Sequence, residues 1–99
     1  MKLTEIEKQF EPVAMIRGGV FLLSATDALR FIDQAERNCV AVEGIEGFKV
    51  FGEKIQPNQE HSLDLQGERE QNHEVAKKFI QERVNSGLWF EVVTSDRSS

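Results

Sequence analysis

The chain has 99 residues, 39% apolar and 29% charged, with seven Phe and one Trp. That balance fits one globular unit with a compact core and excludes disorder of the whole chain. The formal charge of -5 falls within Glu43 to Glu74, where eight carboxylates face three cations, while the flanks balance nine against nine. Direct binding of nucleic acid is disfavoured, because phosphate neutralisation needs a concentration of Lys and Arg.

The longest apolar runs, such as Val20 to Leu23, are far too short to span a membrane. Met1 opens onto a charged stretch without an apolar leader, so a cytoplasmic location is expected. Cys39 is alone, which precludes an internal disulfide and fits a reducing compartment. Its neighbours Val40 and Val42 suggest a buried strand, where the thiol acts as a small hydrophobe.

Leu3, Ile6 and Phe10 lie at helical spacing before Pro12, predicting a short amphipathic helix. Val13 to Leu23 is rich in β formers but broken by Gly18 and Gly19, and reads as an irregular lead-in to a short strand ending at Leu23. Ser24-Ala-Thr-Asp27 resembles a capping box, so a helix should begin at Ala25. Ala28, Phe31, Ile32 and Ala35 form its buried face, Leu29 widens it, and Asn38 suits a left-handed stop.

Cys39 to Val42 and Phe48 to Phe51 read as strands of a hairpin, with Gly44 and Gly47 bracketing the connection. On the second strand Phe48 and Val50 share one face, Lys49 and Phe51 the other. From Gly52 to Asn72 neither period holds, and Pro57-Asn58, Gly67 and the polar run from Gln66 favour turns, with at most a short strand over Ser62 to Leu65. A last helix begins near His73 with Val75, Ala76, Phe79, Ile80 and Val84 on its apolar face and Gly87 as its stop. Leu88 to Val93 completes the sheet. Residues 1–93 thus form one α+β domain, two main helices packed on one face of a small mixed or antiparallel sheet, with 94–99 a frayed tail.

No pattern in the chain identifies a reaction. Glu60-His61 with Asp64, and His73-Glu74, supply ligand types for a metal or a proton shuttle, but not four ligands at the spacing of a structural zinc site. Ser24, Ser62 and Ser86 lack a nucleophile-elbow context, and no glycine-rich phosphate loop is present. An enzyme would have to use His61 with Asp64 or Glu60. No catalytic residue, metal or cofactor is assigned.

Gly19-Val-Phe, Ala28-Leu-Arg-Phe-Ile-Asp33, Val42-Glu-Gly-Ile-Glu-Gly-Phe48 and Gln56-Pro-Asn-Gln-Glu-His-Ser-Leu-Asp64 resemble the small immunity proteins of bacterial polymorphic toxin systems. The ending, Ala76 to Ile80 and then Trp89-Phe-Glu-Val-Val93, extends the resemblance from Gly19 to Val93. It implies a cytoplasmic α+β antidote that binds the C-terminal domain of a cognate toxin and blocks it, without catalysis or cofactor. An acidic surface would suit a basic nuclease, and a deaminase or other toxin would also fit.

Under that resemblance the candidate partner-binding residues are Glu43, Glu46, Phe48, Glu53, Glu60, His61 and Asp64, with Phe51 or Trp89 as further aromatic anchors. Monomer or weak homodimer is expected. The competing reading is an interaction or small-ligand module, dimeric through an exposed sheet edge next to the last strand, and an apolar cavity would favour it.

Overall fold

Thr4 starts the first helix by a reciprocal cap: the Glu7 N–H donates to Thr4 Oγ1 at 3.1 Å and the Thr4 N–H donates to Glu7 Oε1 at 2.9 Å. The resulting helix α1, Glu5–Phe10, sits among elements that a computed structural model describes over residues 2–65 and 72–98. The turns expected over Gln66 to Gln71 lie outside the described residues.

Gly18 and Gly19 take φ of 57° and 77°, the two positive values that a tight hairpin turn demands. The expected irregular lead-in is therefore a strand, β1 (Met15–Arg17), paired antiparallel with β2 (Val20–Leu22). Helix α2, Ala25–Arg37, begins where its cap predicts: the Asp27 N–H donates to Ser24 Oγ at 3.3 Å. Asp27 is too short to return the bond to the backbone, and Ser24 Oγ donates to its Oδ2 instead. Asn38 is not the left-handed residue, with φ of -96°. Cys39 takes that role at φ 57° and is exposed, which corrects its placement in a buried strand.

Two strands then run longer than their sequences suggest. Gly44 and Gly47 do not bracket a loop but lie inside β3 (Val42–Phe51). A Cβ on Gly47 would come within 2.9 Å of the His61 carbonyl oxygen, so close approach of the neighbouring strand is what requires glycine there. The turn falls instead at Gly52-Glu53, with Gly52 at φ 60°, and β4 (Lys54–Asp64) returns antiparallel. Its alternation is hidden because Glu46 pairs with Ser62 and Gly47 with Asn58, leaving residues 59–61 as a bulge.

Helix α3, Asn72–Gln81, is pinned at its start: Asn72 Nδ2 donates to the Val42 carbonyl at 2.8 Å and His73 Nε2 to the Val40 carbonyl at 2.7 Å. Ala76, Phe79 and Ile80 are buried, whereas Val75 and Val84 are exposed, correcting the wider apolar face. The helix ends at Gln81 and irregular turns lead on to Gly87.

Strand β5 (Trp89–Thr94) gives the sheet order β4-β3-β5, all antiparallel. Leu23 exchanges two backbone hydrogen bonds with Phe90, at 2.9 and 2.8 Å, joining the β1–β2 hairpin to the outer edge of β5. The architecture is α+β, with α2 and α3 on one face of the three-stranded sheet and Phe31, Ile32, Ala35, Ile80, Phe90 and Val92 in the core between them. The expected free tail is corrected at its start: Thr94 is buried within β5, and the Ser95 N–H donates to the Ala41 carbonyl at 2.9 Å before a 3-10 turn over Ser95–Ser98.

An acidic groove on the open face of the sheet

Side chains that face each other across antiparallel strands share a side of the sheet. Gly47 pairs with buried Phe90 on the helix side, which turns Glu46 and its partners Glu91 and Ser62 to the open side. Gly44 pairs with Asp64 and Val93 on that same side. Glu43 joins them through an irregularity in the β3–β5 register between Val42 and Gly44.

The result is a shallow groove of about 490 Å³ whose rim carries Glu43, Glu46 and Asp64 with the polar side chains of Gln59 and Ser62; Val93 is its apolar side chain, while Ile45 and Leu63, which also line it, alternate to the helix side, where Ile45 is buried in the core. Three of the expected contact residues are therefore gathered. Glu91, which the sequence reading missed, stands directly across from Glu46. Its signal was present in the alternation of Trp89-Phe-Glu-Val-Val93, where the acid falls between two core positions.

The other candidates separate. Phe48 is only 5% exposed, buried on the open side of the sheet outside the helix-side core, so it leaves the set of partner anchors. The β1–β2 hairpin lies against the end of β3 and β4, with Arg17 Nε donating to the Gly52 carbonyl at 3.4 Å. Trp89, opposite Phe48, is half-buried, and Phe51 is the accessible ring at 58% exposure. Glu53 sits in the β3–β4 turn, seven residues from Glu46 and roughly 20 Å along the strand. Glu60 is exposed on the bulge and lines a different recess with Lys49, Gln56 and Pro57.

His61 turns to the helix side. Arg83 Nε donates to its Nδ1 at 2.9 Å while the guanidinium lies 3.8 Å from the centre of the Phe79 ring and donates to the Phe79 carbonyl. Of the two pairings that an enzyme reading offers, His61 with Asp64 is thus split across the two faces of the sheet, while Glu60 adjoins His61 on the bulge. Among the described residues, no three His, Cys, Asp or Glu side chains are grouped as metal ligands. The recess between α1 and α2, about 390 Å³, is lined by Gln9, Arg30, Asp33, Gln34 and Arg37 beside Phe10 and Val13, and is not the apolar cavity that a small-ligand module would use.

The one strongly perturbed group among the described residues lies away from the groove. Lys77 bridges the helices, its ammonium 3.0 Å from Asp33, 3.3 Å from Glu36 and 3.3 Å from Glu74. Hydrogen bonding to Asp33 is the largest influence and, with the bonds to Glu74 and Glu36, outweighs the opposing effect of burial and holds its pKa above the ordinary lysine range.

No protein-family model matches the chain, and no curated protein matches it. No helix among the described residues is long and apolar enough to cross a membrane.

Proposed function

We propose that the protein is an immunity protein: it binds the C-terminal domain of a cognate bacterial toxin and blocks it by occlusion. The observation that carries this reading is the convergence of Glu43, Glu46 and Asp64 around one open groove, with Glu91 beside them on the same sheet face. A rim of carboxylates on an open sheet face suits a basic protein surface, to which long-range attraction speeds association. The sequence resemblance over Gly19 to Val93 points the same way.

Co-expression with the C-terminal domain of the protein encoded immediately upstream, in a sensitive host, tests the proposal. Growth rescue with a complex that co-purifies on the tagged chain is the expected result. A toxic neighbour that this chain neither neutralises nor binds contradicts it. The double variant Glu43→Lys/Glu46→Lys should bind about 100-fold more weakly while melting no lower than the parent.

A further inference from the structure

The two edges of the three-stranded sheet are not equivalent. Beyond β5, Leu23 occupies the edge at Phe90 with a pair of hydrogen bonds. Beyond β4 no strand follows among the described residues. An edge strand presents a row of backbone donors and acceptors to any extended chain that reaches it.

Most of that edge is guarded. Pro57 has no N–H to offer, and the bulge at 59–61 interrupts any continuous pairing. Past the bulge the strand is regular again. The Leu65 N–H donates to the Glu43 carbonyl at 3.0 Å, so odd residues there face β3. By alternation Ser62, whose register partner is Glu46, turns its backbone N–H and C=O off the sheet, next to the acidic groove.

We propose that the cognate partner docks by adding a basic extended segment to β4 at Ser62, in register with the groove. This rests on the immunity reading and specifies how the toxin is held. A strand added at that position points every second side chain to the open face, and Lys or Arg at those positions meets the Glu46 and Glu43 carboxylates. Charge complementarity selects the segment, and the bulge stops it from sliding along the edge.

The test uses the isotope-labelled chain, a six-residue peptide alternating Lys and Val, and the same peptide with Glu for Lys. The Lys peptide should slow exchange of the Ser62 amide by about tenfold and the Glu peptide should not. Ser62→Ala, which keeps the N–H, should retain binding, and Ser62→Pro, which removes it, should weaken binding by about tenfold with unchanged circular dichroism. Equal binding of both peptides, an unprotected Ser62 amide, or full affinity in a folded Ser62→Pro variant overturns the proposal. A toxin complex that rescues growth with Ser62 still exchanging freely overturns strand addition and leaves the immunity reading standing. Failure of rescue overturns both.

Discussion

Glu46 faces Glu91 across β3 and β5, and like charges on directly opposed positions lower the stability of a sheet. A cationic partner bound across the groove would offset that repulsion. Glu46→Gln should therefore raise stability by about 0.2–1 kcal/mol, read by denaturant unfolding, while weakening partner binding. A loss of stability would show that Glu46 is there for the fold. Such single positions were only partly legible in the chain. The carboxylates were visible as a run, but which of them meet depends on strand pairing, and Glu91 lay outside the run. His61 looked available because the sequence does not show Arg83 arriving from the turns after α3 to occupy its Nδ1.

At the scale of elements, the helices were legible because caps and periodicity act locally: Ser24 and the Ala28, Phe31, Ile32, Ala35 stripe define α2 with no help from the rest of the chain. The β3–β4 hairpin was not, since its glycines answer to a neighbouring strand and its bulge breaks the alternation. Gly47→Ala makes this measurable. Its Cβ would meet the His61 carbonyl oxygen at 2.9 Å and Leu88 Cδ1 at 3.4 Å, so thermal melting should reveal a loss of about 1–3 kcal/mol as β4 is pushed off β3. Lys77 acts between elements, tying α3 to Asp33 and Glu36 of α2. Lys77→Ala should cost about 1 kcal/mol, less at high salt. Because its pKa is raised on folding, that contribution is complete below the ordinary lysine value of 10.5 and fades only as pH rises through the higher folded value. A melting temperature that already drops with rising pH near neutrality in the parent but not in Lys77→Ala would contradict this.

The whole molecule separates its tasks by face. Helices α2 and α3 cover one side of the sheet and bury the main core there, while the other side carries carboxylates in a groove and, among the described residues, a stretch of β4 edge with no neighbouring strand. The net charge of -5 adds a field that favours a basic partner, so association should slow as salt rises, with dissociation changing less. The most direct measurement is growth of a sensitive host expressing the upstream C-terminal domain with either the parent chain or Glu43→Lys/Glu46→Lys. Rescue by the parent and its loss in the variant, with both proteins folded and equally abundant, is the expected result. Rescue by both would place the interface elsewhere on the molecule, and rescue by neither, with the toxin active, would contradict the immunity function itself.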